Sequence, residues 1–282
     1  MKNKIVALVL LLIMTNHTLA HDFNIVENSI KYNYVSINSE HTVHPIAAKL
    51  SIPKIKDGSK PPVVIIAHGS GGVDERGFLY AQKLNEVGIA TIEIDMWSAR
   101  NMSGGLSRPD NVQETLSDIT DTISYLNSNQ NIDNTRIGML GFSWGGVMSM
   151  LLSTKEYSTP QSLKAIVANY PVCWVYNTLP EYEFRSLRDD MKLLIISGSK
   201  DKYDSPKDCS NLVKKLDNES AKSVTTLQLE QATHAFDLKK PSSKFYDPFA
   251  YQGKGGNVPI EYNKAKTEQS TASVVLFFQH SL

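Results

Sequence analysis

Three side chains carry most of the chemistry this sequence offers. Ser143 is the centre of Gly141-Phe142-Ser143-Trp144-Gly145, a G-x-S-x-G pattern. An apolar run at 137–140 that reads as a buried strand precedes it, and a small-residue helical stretch follows. In that strand–turn–helix context the serine sits on a sharp, strained turn, flanked by glycines because a Cβ there would strike a neighbouring strand or helix. A serine hydroxyl is a weak nucleophile and needs a base to take its proton. His234, in the stretch 232–236, lies just beyond the last expected strand. His21, His41 and His44 precede the parallel strands, His68 belongs to a glycine-rich loop, and His280 is near the chain's end, which leaves His234 as base. An imidazole in that role needs a carboxylate to fix its tautomer. Asp201, in Gly198-Ser199-Lys200-Asp201 after a strand at 193–197, is the first candidate. Asp204 competes, but a helix start close by is reason enough for an acid there.

Attack on a carbonyl places negative charge on its oxygen, which preorganised N–H groups should meet. The backbone of Trp144, directly after the serine, is one expected donor. The backbone of Ser70, in His68-Gly69-Ser70-Gly71-Gly72, is the other. Trp144, Tyr170, Trp174 and Tyr176 either line a substrate pocket or pack at its rim, and Arg100 and Arg108 either bind a substrate carboxylate or are solvated loop charges. Asn101 and Asn218 open N-x-S sequences, a pattern common by chance. No ligand cluster surrounds His41 and His44, so no metal is expected.

The elements that must position these groups alternate. Strands are expected at 32–37 and 46–52, the latter two without a helix between them, which suggests an antiparallel edge pair. From residue 63 onward strands (63–67, 89–94, 137–140, 165–168, 193–197, 224–229) alternate with helices (75–87, 112–126, 146–152, a helix capped by Ser205, and 268–280). The run 63–67 is apolar throughout, as in a strand covered on both faces. Val112, Leu116, Ile119, Ile123 and Leu126 step by four and three, and Asp110 with Gln113 reads as the capping box of their helix. Such alternation argues for a parallel, doubly wound sheet, whose active sites gather at the carboxyl ends of the strands. Ser143, Asp201, His234, the His68–Gly72 loop and the stretch from Tyr170 to Trp174 all follow a strand end.

The 282 residues carry zero formal net charge, so no nucleic-acid surface is indicated. Lys2 and Lys4, an apolar run at 5–14 and small residues at Thr18 and Ala20 read as a signal peptide cleaved after Ala20. That run is too short for a membrane span. The expected product is a secreted or periplasmic chain, residues 21–282, forming one domain. In an exported chain Cys173 and Cys209 can be oxidised, and they have one pairing available to them.

Three segments together, 141–146, 198–201 and the His234-Ala235-Phe236-Asp237 stretch, make the chain resemble the dienelactone hydrolase family of the α/β-hydrolase superfamily over most of residues 60–282. The resemblance implies an α/β-hydrolase fold with a mostly parallel sheet of about eight strands, hydrolysis of a small carboxylic ester or lactone, and no cofactor. The enzymes that give the family its name use a cysteine nucleophile, whereas here the position holds Ser143, which points to a serine esterase relative. Within this frame Cys173 and Cys209 both reach the rim of the site, and a disulfide bracing the Asp201 loop is the expectation. The alternatives are a peptidase related to oligopeptidase catalytic domains and a catalytically silent binding protein of the same fold. Oligomeric state is not readable from the sequence.

Overall fold

The computed structural model describes residues 26–282; the expected signal peptide and its cleavage site lie outside the described residues. The chain starts with β1 (Val26–Ile37) and β2 (Ile46–Ile55), an antiparallel pair as expected. β3 (Val63–Ala67) is buried at every position. It leads through the glycine loop to α1 (Glu75–Glu86), which Asp74 caps by accepting the N–H of Arg76. Then come β4 (Ala90–Asp95), α2 (Leu116–Asn127), β5 (Ile137–Phe142), α3 (Trp144–Leu152) and β6 (Leu163–Asn169). β7 (Lys192–Gly198), two short helices α4 (Asp208–Val213) and α5 (Asn218–Lys222), and β8 (Val224–Leu229) complete the main sheet. The C-terminal helix spans Lys264–Ser281.

The eight strands lie in the order β1-β2-β4-β3-β5-β6-β7-β8, antiparallel at the β1, β2 and β4 pairings and parallel from β4 onward. This is the α/β-hydrolase fold. The chain moves outward from β3 to β4 and then returns to lay β5 on the other side of β3. The crevice at such a reversal is where open α/β sheets bind ligands. In register, Ala67 of β3 stands beside Gly141 of β5, and Phe142 of β5 beside Asn169 of β6. The glycine loop, the Ser143 turn and the 170–175 segment therefore leave the sheet side by side.

The core is the two faces of this sheet. Ile119, Ile123 and Leu126 of α2 and Tyr80 and Leu84 of α1 are buried on it, as their helical spacing requires. Two local expectations are corrected. The capping box is formed by Asn111 with Glu114, not Asp110 with Gln113, and it opens a 3₁₀ turn at Val112–Thr115 before α2 begins. Ser205 does not cap a helix; its N–H donates to Asp208 at 2.7 Å, and α4 starts at Asp208. The Pro-, Gly- and aromatic-rich stretch after the histidine contains a second sheet, the antiparallel hairpin of β9 (Ser243–Asp247) and β10 (Gly256–Ile260).

Candidate active site

Ser143 follows the last residue of β5 and caps α3, with φ 51° and ψ −105°. A non-glycine residue in this region carries strain of about 1–3 kcal/mol, sustained by the packing around it. That packing explains the glycines. A Cβ on Gly141 would overlap the carbonyl of Gly145, and a Cβ on Gly145 would overlap the carbonyl of Ala67 in β3. The turn is further pinned by two backbone bonds: Ser143 N–H donates to Asn169 O (2.9 Å) and Gly145 N–H to His68 O (3.1 Å).

His234 reaches this turn from the loop after β8. Its Nε2 lies 2.9 Å from Ser143 Oγ, and its Nδ1 lies 2.7 Å from Asp201 Oδ2. With the carboxylate ionised, Nδ1–H donates to Asp201 and Nε2 is left to accept the serine proton. The other oxygen of Asp201 accepts the N–H of Tyr203 at 2.9 Å. His234 and Asp201 are both buried, and the rings of Tyr170 and Tyr203 lie 4.9 and 4.5 Å from the imidazole. The histidine loop is held from the other side, where Thr233 Oγ1 accepts the N–H of Glu261 and Phe236 O accepts that of Asn263.

Trp144 is the first residue of α3, so its N–H has no partner within the helix and belongs to the positive end of the helix dipole. Ser70 lines the same cavities as Ser143. Its N–H shares a peptide with Gly69 O, which is held by His68 Nδ1–H at 2.8 Å and Gly72 N–H at 3.1 Å, while its own carbonyl accepts the Trp97 indole N–H at 3.0 Å and the Gly105 N–H at 2.6 Å. His68 is structural: Nδ1–H donates to Gly69 O (2.8 Å) while Nε2 accepts Met96 N–H (3.0 Å). Burial pushes its pKa down to about 4, so the ring is neutral and holds the glycine loop.

Asp204 is not part of the His234 cluster. Its two oxygens accept the N–H groups of Cys173 and Trp174, each at 2.8 Å. Burial raises its pKa to about 8, with neighbouring Asp201 adding to the rise and the two N–H donors opposing it. Cys173 and Cys209 are joined in a disulfide. Among the described residues, the one cluster of three metal-type ligands is these two sulfurs with Asp204, and sulfurs bonded to each other are not thiolate ligands.

Of the aromatic candidates, Trp144 lines a pocket beside Ser143. Tyr170 packs against His234, and Tyr176 is buried with its hydroxyl donating to Pro171 O at 3.2 Å. Trp174 reaches the Phe249 carbonyl beside the hairpin (3.2 Å). Arg100 is neither a solvated charge nor free for a substrate. It forms a two-pronged pair with buried Asp118 at 2.7 and 2.8 Å and also donates to the carbonyls of Met96 and Glu114. Arg108 lines the site and pairs with Asp247 of β9 at 2.9 Å.

The sequence reading missed a buried network behind the imidazole. Asp237 accepts the hydroxyls of Tyr170 (2.7 Å) and Tyr80 (2.9 Å), and Tyr170 in turn accepts from Arg76 (3.1 Å). Arg76 is paired with Asp74 at 2.6 Å, and Tyr80 also meets Ser270 of the C-terminal helix at 2.7 Å. Asp237 stands in the His234 segment, but its partners come from α1 and from the residue just past β6, and no spacing along the chain announces them.

A profile of the dienelactone hydrolase family matches residues 46–282. The chain belongs to the dienelactone hydrolase family. Among solved structures, it resembles the dienelactone hydrolase of Anabaena variabilis with a TM-score of 0.59, at 19% identity, over 90% of this chain and 99% of that one. It resembles Est1E of Butyrivibrio proteoclasticus with a TM-score of 0.57, at 18% identity, over 88% and 98%. At these identities the likeness is one of fold. Among curated proteins, YcjY of Escherichia coli is 37% identical over 95 residues, 33% of this chain and 31% of YcjY. The chain thus spans about a third of that relative's length, and of PA2218 of Pseudomonas aeruginosa, 32% identical, it spans 33%.

Proposed function

We propose that this member of the family is an exported serine hydrolase that cleaves a small carboxylic ester or lactone. The observation that carries the reading is the continuous line from Ser143 Oγ to His234 Nε2 (2.9 Å) and from His234 Nδ1 to Asp201 (2.7 Å). Ser143 Oγ attacks the carbonyl carbon while its proton passes to His234 Nε2. The resulting oxyanion accepts the N–H groups of Trp144 and Ser70. The carbon–alkoxy bond breaks, the leaving oxygen takes the proton from His234, and an acyl-serine remains. A water molecule then repeats the sequence against the acyl carbon and releases the acid and Ser143. Asp201 keeps the imidazole in the required tautomer and stabilises its charged form.

Export rests on the sequence of residues 1–20, and the Cys173–Cys209 bond is compatible with an oxidising compartment. Residues 21–282 would then form the mature single domain. Amino-terminal sequencing of the protein recovered from the cell envelope or medium should begin at His21. The catalytic reading is tested with Ser143→Ala. Turnover of p-nitrophenyl acetate should fall on the order of 10⁶-fold, and a fluorophosphonate should label the parent protein at Ser143 only. Unchanged turnover in the variant removes Ser143 as nucleophile.

A further inference from the structure

Ser143 stands where two cavities of different size meet. One is a pocket of about 60 Å³ beyond Trp144, with Val112, Val147, Val172 and Val175 on its apolar side and Asp110 and the Arg108–Asp247 pair also on its lining. The other is an open cleft of about 540 Å³ running under the β9–β10 hairpin. Ser70 and Arg108 line both, as does Ser143 itself. His234 lines the cleft but not the pocket, where Tyr203, whose ring lies 4.5 Å from the imidazole, forms the wall instead.

The proton inventory of ester cleavage decides which half of a substrate goes where. The alkoxy oxygen must receive its proton from His234 Nε2, so the alcohol half must leave along a wall that His234 lines. That wall belongs to the cleft. The acyl half, bonded to Ser143 Oγ in the intermediate, is left with the pocket. A pocket of this size is well below the roughly 150 Å³ that holds a benzene ring. On its apolar side Val112, Val147, Val172 and Val175 are all buried, and Val147 belongs to α3 itself. The cleft has no such limit. Its lining includes Leu106, 86% exposed, Tyr246, 60% exposed, and the part-exposed Val73 and Phe245. Apolar side chains held out in water around a mouth favour an apolar or aromatic guest.

We infer that this enzyme selects esters of a short aliphatic acid with a large apolar or aromatic alcohol, the acyl chain seated in the Val147–Val175 pocket and the alcohol in the cleft under the hairpin. The inference rests on the esterase reading above.

The test is a two-way series on the whole protein. With 2-naphthyl as the fixed alcohol, the acyl group runs from acetyl through butyryl to octanoyl. With acetyl fixed, the alcohol runs from phenyl to 4-butylphenyl and 2-naphthyl, which keeps the leaving groups chemically alike. The expected result is a fall in kcat/KM of at least about tenfold from butyrate to octanoate, of the size that a few misfitted methylenes produce. Along the alcohol series kcat/KM should hold or rise. Val175→Ala, which removes two methyl groups from the pocket wall, should narrow the butyrate-to-octanoate gap. Octanoate turned over as well as butyrate, or a bulky alcohol that slows acetyl transfer tenfold, overturns the division of the site while leaving the esterase reading intact. No turnover of any member overturns both. A gap unchanged in folded Val175→Ala overturns the assignment of the acyl group to that pocket.

Discussion

The Asp204 carboxylate accepts the backbone N–H of Cys173 at 2.8 Å, and so ties the segment after Asp201 to one half of the disulfide. This bond gives Asp204 an occupation of its own, away from the imidazole. The two acids should therefore separate cleanly. Asp201→Asn should lower kcat on the order of 10⁴-fold by favouring the wrong histidine tautomer. Asp204→Asn should leave kcat within about tenfold but cost about 1–3 kcal/mol of stability, because an amide offers one acceptor to two N–H groups. Ester turnover and thermal melts of both variants are the measurement. A collapse of kcat in Asp204→Asn would exchange their roles.

The disulfide joins positions separated by 36 residues. A closed loop of that length restricts the unfolded chain enough to contribute about 4 kcal/mol on the chain-entropy view. The Cys173→Ser, Cys209→Ser double variant should unfold at markedly lower denaturant, and the parent protein should shift the same way after reduction. Identical midpoints for oxidised and reduced protein would show that the bond carries no stability.

Asp237 serves two buried tyrosine hydroxyls, and burial raises its own pKa against the opposing pull of Arg76 and those hydroxyls. Asp237→Ala should cost about 1–3 kcal/mol for each buried hydroxyl left unpaired, those of Tyr170 and Tyr80, while Arg76 keeps Asp74. Tyr170→Phe keeps the ring against His234 and removes a single hydroxyl, so it should cost about 1–2 kcal/mol with kcat largely retained. A denaturation series with ester kinetics on the folded variants checks both.

His68 has a pH signature. Its folded pKa is depressed from 6.5 to about 4 by burial, so the unfolded chain binds the proton first as pH falls. Its contribution is fully present above 6.5 and is lost as pH drops toward about 4, on the order of 3 kcal/mol in all. His68→Gln, which cannot take up the proton, should show a correspondingly shallower acid decline than the parent in pH-dependent denaturation. Ring nitrogen shifts should keep His68 in a single neutral tautomer near neutral pH. A titration of His68 close to 6.5 in the folded protein would remove this account.

The parts of the site that were legible in the sequence are those with a local signature. The Ser143 turn is spelled by two glycines and a strand, and Asp201 and His234 each follow a strand end. The structure brings these three together. What escaped is whatever depends on partners distant in the chain. Arg100 finds Asp118 on α2, and Arg76 reaches Asp237 through Tyr170, pairings that no local pattern encodes. The β9–β10 hairpin was hidden by its composition, since Pro259 sits within β10 and most of β9 is exposed, without the inward–outward alternation of a core strand. The capping residue of the 3₁₀ turn was misplaced by one because Asp110 and Asn111 are both good caps.

The hairpin that roofs the cleft has its own two-stranded sheet and shares no ladder with the eight strands that carry Ser143 and Asp201. It and its connecting turn meet the rest of the molecule through Asp247 to Arg108, Phe249 O to the Trp174 indole, Gln252 to Asp208, the backbones of Tyr251 and Gln252 to Lys202 and Tyr203, and a backbone bridge from Ile260 of β10 to His234 itself. The segment that would meet the alcohol half of a substrate therefore also braces the loop of His234. A lineage could rewrite residues 243–260 and change its diet while the turn at Ser143 stays untouched. A protein engineer grafting a foreign hairpin would have to keep the residue at Ile260 in register with His234.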